Sequence, residues 1–223
     1  MNDLCVVFDI DDTLYLEYDY VVSGFTAVGE WARNWIGIDG FAERCRAIHD
    51  SGRRGSVFNT ALSEYGVEPK PELISALVGI YRAHAPDITL CFDADTAMQK
   101  IAARWPVAVI SDGPAISQSR KAEALRLSRF ASCIVLTELL GQGCSKPSPA
   151  AFEMVQRRVE SMRYVYIADN PLKDFTAPLK LGWTAVRVRR TGGLHSTVEN
   201  SAAQPHFDLQ DCTGLEKLLE NLI

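Results

Sequence analysis

The chain has 223 residues, 47% of them hydrophobic and 23% charged, which suits one large globular domain or a core domain carrying a smaller insertion. A formal net charge of −5 gives no general electrostatic reason to bind nucleic acid or an anionic membrane, so we expect neither as a partner. Six scattered cysteines without metal-ligand spacing predict reduced thiols in a cytoplasmic protein.

The first predicted element is a short apolar strand, residues 6–8, that leads directly into Asp9, Asp11, Asp12 and Thr13. Carboxylates placed together repel one another and are costly to bury, so this strand end indicates a bound cation or a reacting phosphate. The alternative is a polar turn in which Asp12 and Thr13 cap the segment that follows.

The next stretch, from Tyr18 to about His84, contains apolar residues at helical spacing and no convincing strand. Breaks at glycine and proline divide it into four predicted helices. These lie at about 22–37, 41–48, 57–65 and 71–81. We therefore expect residues 17–87 to form an all-helical domain inserted into a core domain made of residues 1–16 and 88–223.

From about Ile88 the chain alternates between predicted helices and short apolar strands, an arrangement typical of an α/β fold. The strands are predicted at 107–110, 133–136, 164–167 and 184–188, and a closing helix at 215–222. Repeated strand and helix units favour a mostly parallel, doubly wound sheet that is covered on both faces. We predict an irregular, mobile loop over residues 190–205.

Reactive polar residues follow three of these strands. Asp9 follows the first strand, Ser111 the next, and Asp169 and Asp174 a later one, while Lys146 lies in a loop. Because neighbouring parallel strands end side by side, these residues would meet at one edge of the sheet. Mg²⁺ prefers a few carboxylates supplemented by water and phosphate oxygens, so a magnesium site is predicted there.

These residues form four motifs in order along the chain. They are Asp9-x-Asp11-x-Thr13, Ser111 in Ile-Ser-Asp-Gly, Lys146 in Ser-Lys-Pro-Ser-Pro, and Asp169 with Asp174 in Ala-Asp-Asn-Pro-Leu-Lys-Asp. The chain thereby resembles the haloacid dehalogenase superfamily from residue 4 to about 190, in the branch with a helical cap inserted after the first motif. The resemblance implies a Rossmann-like core with an inserted helical cap domain.

The resemblance also implies roles for the acidic residues. Asp9 would be the nucleophile that forms an aspartyl-phosphate, and Asp11 the general acid and base. Asp9, the backbone carbonyl of Asp11, and Asp169 would hold Mg²⁺. A hydrolytic dehalogenase needs no acid two positions after the nucleophile, so Asp11 favours phosphoryl transfer.

For the phosphate, the resemblance implies Ser111, the neighbouring backbone N–H groups of Asp112 and Gly113, and Lys146. Each of the residues also has a simpler interpretation, Ser111 as a helix cap and Lys146 as a solvated surface charge.

Three residues would support this site without binding the phosphate. They are Thr13, Asn170 and Asp174. Asp174 would orient Lys146 or metal-bound water, with a helix-start role as its alternative. Arg53 and Arg54, in the glycine-flanked loop of the predicted cap, would bind a substrate anion or remain solvated.

The predicted function is a Mg²⁺-dependent phosphatase that acts on a small phosphorylated metabolite, such as a sugar phosphate or a nucleotide. A phosphosugar mutase of the same superfamily is the first alternative, because mutases share Asp11. A non-catalytic phosphate-binding or scaffold protein is the second. We expect a monomer or a homodimer.

Overall fold

The computed structural model describes residues 2–199 and 202–222. The chain forms two compact units, one made of Met1–Glu17 with Ile88–Ile223 and the other of Tyr18–Asp87. Within the described ranges no helix is both long and apolar enough to cross a lipid bilayer.

The first unit contains a six-stranded sheet in the order β3-β2-β1-β4-β5-β6. The strands are β1 (Asn2–Phe8), β2 (Val107–Ser111), β3 (Ala131–Leu136), β4 (Ser161–Ala168), β5 (Thr184–Val188) and β6 (Phe207–Leu209). All neighbouring pairs are parallel, which confirms the predicted α/β class. The order changes direction at β1, the point where doubly wound sheets bind ligands.

Helices follow most of the strands in this unit. They are α5 (Phe92–Ala102), α6 (Ala115–Ala124), α7 (Ala150–Arg158), α8 (Thr176–Lys180) and α9 (Leu215–Glu220), with short 3-10 helices at Leu127–Arg129 and Thr137–Leu140. Parallel strands need such long crossover connections, which place the helices on the faces of the sheet.

The centre of the sheet is fully buried because apolar residues fill both of its faces. In β1 every residue from Leu4 to Phe8 has no exposed surface, as expected for a central parallel strand. Val7 belongs to a core cluster that includes Phe152 and Trp183, whose rings meet edge to face at 5.4 Å. A fully buried side chain of this kind contributes about 1.5–3 kcal/mol, which keeps the strand ends fixed.

The second unit is entirely helical. Its helices are α2 (Phe41–Asp50), α3 (Val57–Glu64), α4 (Pro71–Ala83) and most of α1 (Glu17–Ile36). Phe25 of α1 packs edge to face against Phe58 and also contacts the ring of Tyr81. A side chain at Gly24 would lie 2.4 Å from the Tyr81 ring, so only glycine allows α1 and α4 to approach this closely.

One strand of the first unit was missed by the sequence predictions, and the irregular loop that was predicted is present in its described part. β6, which pairs with β5, was not predicted. The loop predicted over 190–205 includes Asn200 and Ser201, which lie outside the described residues. Its described part is irregular, and Arg187 anchors it by donating hydrogen bonds of 2.8 Å to the carbonyls of His195 and Val198.

Candidate active site

The carboxyl ends of the two central strands place Asp9 and Asp169 next to each other. Phe8 of β1 pairs with Ile167 of β4, and the Asp9 backbone N–H donates to the Ile167 carbonyl at 2.9 Å. Both aspartates are nearly buried, at 6% and 7% exposure. The apolar packing of the strands therefore fixes two carboxylates at one edge of the sheet.

Asp174 completes a buried acidic cluster with these two residues. Carboxylate oxygens of Asp9, Asp169 and Asp174 lie within 4.8 Å of one another. Burial raises the pKa of Asp9 to about 7, and the nearby Asp174 and Asp11 add to the shift while Lys146 opposes it. Burial, followed by Asp174 and Asp9, also raises the pKa of Asp169 well above its usual value. The ionised form of the cluster is thus disfavoured in the absence of a further cation.

Lys146 is the buried cation of this cluster. Its Nζ donates to Asp9 Oδ1 at 2.6 Å and to the hydroxyl of Tyr166 at 2.9 Å. The same Nζ forms an ion pair with Asp174 Oδ1 at 2.8 Å. Burial alone would lower the pKa of Lys146, but Asp174 and Asp9 outweigh burial and raise that pKa well above its usual value. Lys146 is therefore charged and held against the candidate nucleophile.

The three carboxylates fit a magnesium ion. They offer several oxygen ligands in one place, which is the chemistry that Mg²⁺ prefers. A cation would also offset the burial and the mutual repulsion that raise the pKa values of Asp9 and Asp169. The set includes two predicted metal ligands, Asp9 and Asp169, together with Asp174, which was predicted to orient Lys146 or metal-bound water. The side chain of Asp11 is not part of the set, and the contribution of its backbone carbonyl stays a prediction.

Asp112 organises the loops around Lys146 through its side chain. One oxygen accepts from the Thr137 hydroxyl at 2.8 Å and from the Lys146 backbone N–H at 3.2 Å. The other accepts from the ammonium of Lys173 at 2.8 Å. Burial opposes ionisation, but Lys146 and Lys173 lower the pKa of Asp112. This carboxylate therefore links the loops that follow β2 and β4, whereas the prediction concerned only its backbone N–H.

Ser111, at the end of β2, donates from its hydroxyl to Gln118 Oε1 at 2.8 Å. Gly113 has a positive φ of 119°, and a Cβ at this position would lie 3.0 Å from Gln118 Nε2. Glycine therefore suits both the left-handed backbone and the close approach of α6. Ser111 is buried and partnered by a residue that the sequence did not single out.

The carboxylate of Asp11 lies in a second hydrogen-bonded network. Lys121 Nζ donates to both of its oxygens, at 2.7 and 2.9 Å. The Tyr15 hydroxyl donates to Oδ1 at 2.6 Å, and Gln118 Nε2 donates to Oδ2 at 3.1 Å. Burial opposes ionisation of Asp11, but Lys121, Tyr15 and Gln118 together lower its pKa.

Sequence reasoning missed Lys121 and Gln118. A signal was available, because these two polar residues lie three positions apart on α6, and residues at that spacing share one helix face. In the structure both are almost completely buried. A lysine on the core-facing side of a helix that follows a candidate phosphate-binding strand is a sign of a charge partner in the site.

Thr13 and Asn170 lie close to the strand-end residues and have mainly backbone roles. The backbone carbonyl of Thr13 accepts from Arg190 at 2.8 Å, while its buried hydroxyl oxygen has no hydrogen-bond partner among the described residues. Asn170 Oδ1 accepts from the Leu172 backbone N–H at 3.0 Å, and the Asn170 N–H donates to Asp174 Oδ2 at 3.0 Å. Asn170 therefore shapes the turn that delivers Asp174.

The two predicted cap arginines, Arg53 and Arg54, lie in the exposed loop between α2 and α3 of the helical unit. Their predicted contact with a substrate anion stays a prediction.

Comparison with known proteins identifies the family to which the chain belongs. Residues 4–182 match the sequence profile of the haloacid dehalogenase-like hydrolases, so the chain belongs to that family, as the four motifs indicated. A glyceraldehyde 3-phosphate phosphatase of Methanocaldococcus jannaschii is 27% identical to it over 229 residues, covering 97% of each chain.

Solved structures with the same fold extend over nearly the whole chain. YfnB of Bacillus subtilis, assigned as a HAD-hydrolase and solved with bound magnesium, has a TM-score of 0.69 at 16% identity and covers 98% of this chain and 99% of its own. A protein of Thermotoga maritima assigned as a β-phosphoglucomutase has a TM-score of 0.67 at 15% identity, with complete coverage of both chains. These likenesses support the fold.

Proposed function

We propose that this protein is a magnesium-dependent phosphatase that hydrolyses a small phosphomonoester through an aspartyl-phosphate on Asp9. The observation that carries the proposal is the buried Asp9 carboxylate, which Lys146 contacts at 2.6 Å beside the carboxylates of Asp169 and Asp174. A nucleophile beside a fixed cation and a cluster of oxygen ligands is the arrangement that phosphoryl transfer needs.

In the first half of the reaction, an oxygen of Asp9 attacks phosphorus, and the bond from phosphorus to the leaving alkoxide breaks. Lys146 lies where it can neutralise charge on the phosphoryl oxygens. The backbone N–H groups of Asp112 and Gly113 supply neutral donors, and the Ser111 hydroxyl would join them by turning away from Gln118 Oε1. Asp11 gains a proton from solvent, against the contacts that lower its pKa, and gives that proton to the leaving oxygen.

In the second half, water attacks the phosphorus of the aspartyl-phosphate and Asp11 takes the proton of that water. The electron pair of the broken bond returns to Asp9. Mg²⁺, held by Asp9 and Asp169 with Asp174 nearby, would supply a positive charge that screens the carboxylates from the phosphate.

The substrate class rests on the relative from M. jannaschii, which is named a glyceraldehyde 3-phosphate phosphatase. We therefore propose a small phosphorylated aldehyde or sugar as substrate, and nucleotides as the next class to test. The helical unit, residues 18–87, is proposed as the cap that selects the leaving group, with Arg53 and Arg54 available for an additional anion.

The direct test measures release of inorganic phosphate from glyceraldehyde 3-phosphate and from a set of sugar phosphates and nucleotides, with and without MgCl₂. Wild-type protein should release phosphate only with the metal, and Asp9→Asn should be inactive because it removes the nucleophile. Equal rates for the two proteins would disprove the assignment of Asp9.

A phosphosugar mutase is the second candidate, since a protein assigned as a β-phosphoglucomutase shares the fold. The same samples separate the two activities when a sugar 1-phosphate is supplied. Conversion to an isomer faster than phosphate release would favour the mutase. Absence of turnover on every phosphomonoester would favour a binding protein instead.

A further inference from the structure

Lys121, a buried lysine outside the predicted motifs, forms an ion pair with Asp11. Lys121 is 2% exposed, and its Nζ lies 2.7 and 2.9 Å from the two oxygens of Asp11. Burying an ammonium group costs several kcal/mol unless its partner is well placed, and such a pair is weak evidence for a role in stability. This geometry therefore calls for a functional explanation.

The contacts fix the orientation of the Asp11 carboxylate. Oδ1 accepts from Tyr15 and Lys121, and Oδ2 accepts from Gln118 and Lys121. Rotation of the carboxylate would break contacts on both oxygens at once, so the group has one preferred orientation. Hydrogen bonds of this kind to a charged group are the strong ones in proteins.

The carboxylate nevertheless remains reachable. The side chain of Asp11 is 20% exposed, whereas that of Lys121 is 3% exposed. The ammonium is therefore more deeply buried than Asp11, whose side chain stays partly exposed. A carboxylate with a fixed orientation and a partly exposed side chain can exchange a proton with a water molecule or a substrate oxygen.

We infer that Lys121 is a positioning residue that holds Asp11 as the proton acceptor during hydrolysis of the aspartyl-phosphate. The inference rests on the proposed phosphatase function and deepens it. In this step the water oxygen bonds to phosphorus, its proton passes to Asp11, and the bond from phosphorus to the Asp9 oxygen breaks. The electron pair of that bond returns to Asp9.

The two halves of the reaction should depend unequally on Lys121. With p-nitrophenyl phosphate, the leaving nitrophenolate is a weak base and needs little help from a proton donor, so the first half should proceed without a well-placed Asp11. Water has to lose a proton whatever the substrate was. Loss of Lys121 should therefore slow the second half selectively and let the aspartyl-phosphate accumulate.

The experiment follows nitrophenol release in the millisecond range with MgCl₂ present. In Lys121→Met we expect a rapid burst close to one nitrophenol per protein, followed by a steady rate about 10²-fold below wild type, which is within the range of acid–base contributions. Intact-mass measurement of quenched samples should detect the phosphorylated protein. Lys121→Arg, which keeps a cation, should recover at least a tenth of the steady rate.

Arg120→Met is the matched control. Arg120 is exposed and adjacent on the same helix, and its ion pair with Glu123 lies at the surface, so its removal should leave both phases unchanged. Equal slowing of both phases in Lys121→Met, without a burst, would show a merely structural role and overturn the inference. An unchanged steady rate would also overturn it.

A second variant decides the matter if Lys121→Met does not fold. Tyr15→Phe keeps the ion pair and removes only one neutral donor from Asp11, so it should slow the second phase about tenfold and spare the first. Equal effects on both phases would again exclude positioning. Failure of the proposed function looks different, because wild type itself would then release no more nitrophenol than Asp9→Asn.

Discussion

Two buried lysines form ion pairs with carboxylates in the sheet-containing unit. The two lysines come from different parts of the fold. Lys146 comes from a loop and contacts Asp9 and Asp174, the residues that follow β1 and β4. Lys121 comes from the last turn of α6 and contacts Asp11. The first centre contains the candidate nucleophile, and the second contains the candidate acid and base. Under the proposed function, each half of the reaction would therefore have its own cation.

The strongest test of this division is Lys146→Met. We expect the rate of phosphate release to fall about 10³-fold with every substrate, because the cation beside both the nucleophile and the phosphate is removed. Asp9 and Asp174 would also remain buried without their partner, which costs about 3–5 kcal/mol of unfolding free energy. Steady-state kinetics and urea unfolding measure the two effects.

Lys217→Met is the control for that variant, since Lys217 is an exposed lysine on α9 and its loss should change neither quantity. Unlike Lys121→Met, the Lys146 variant should show no burst, because phosphoryl transfer itself is slowed. A burst in Lys146→Met would mean that the two lysines are not divided between the two steps.

A smaller perturbation of the second centre is Tyr15→Phe. The Tyr15 hydroxyl donates to Asp11 at 2.6 Å, and a hydrogen bond to a charged group is worth about 1.5–3 kcal/mol. We expect kcat to fall about tenfold, with a partial burst of the kind described for Lys121→Met. Pre-steady-state nitrophenol release measures both.

Tyr166→Phe is the corresponding change at the first centre, where the tyrosine hydroxyl accepts from Lys146 at 2.9 Å. It should lower the rate without producing a burst. If the two phenylalanine variants have the same kinetic pattern, the contrast between the centres is wrong.

The two centres also differ in how far the sequence could predict them. Strand periodicity locates Asp9 and Asp169, because each is the first residue after a strand. The family resemblance locates Lys146, which lies in a short loop motif. The parallel α/β class followed from the same alternation. The spacing of Lys121 and Gln118 places them on one face of a predicted helix, but the sequence does not show that this face packs against Asp11.

Other features depended on long-range contacts. β6 is a three-residue strand, too short for a periodic pattern. Asp174 was predicted to orient Lys146 or metal-bound water, and the sequence could not show that its oxygens would lie within 4.8 Å of those of Asp9 and Asp169. That spacing depends on the turn in which Asp174 accepts a hydrogen bond from the Asn170 backbone. The sequence motif therefore shows which residue types are present, and the turn at Asn170 sets the distances between their carboxylate oxygens.

The first centre should also respond to metal and pH in a way that the second does not. Burial raises the pKa of Asp9 from 3.8 to about 7, and the pKa of Asp169 is raised as well. The native state therefore holds protons that the unfolded chain has lost. Without metal, this contribution to stability is fully present below about pH 3.8 and is lost as the pH rises through about 7.

Asp169→Asn isolates this effect. Without divalent cations at pH 8, we expect the variant to be more stable than wild type by about 1–2 kcal/mol, as is common when a functional charge is removed. The difference should shrink at lower pH, where Asp169 is protonated. Added MgCl₂ should stabilise wild type more than the variant, because the ion binds only the native state. Equal metal effects in thermal unfolding would argue against Asp169 as a ligand.

Substitution of Asp12 should have the smallest effect on catalysis. Asp12 follows Asp11 in the sequence, but its side chain belongs to neither centre. Its carboxylate accepts from the backbone N–H groups of Glu17 at 2.8 Å and Leu194 at 2.7 Å, and its φ is 52°. Asparagine tolerates this left-handed conformation and keeps one acceptor oxygen. Asp12→Asn should therefore cost about 1 kcal/mol of unfolding free energy and leave kcat within twofold of wild type. Asp12→Ala should cost more, since it also loses the second acceptor. If Asp12→Asn lowered kcat as much as Lys121→Met, Asp12 would belong to the catalytic machinery. The distinction between carboxylates that support the fold and carboxylates that react would then be wrong.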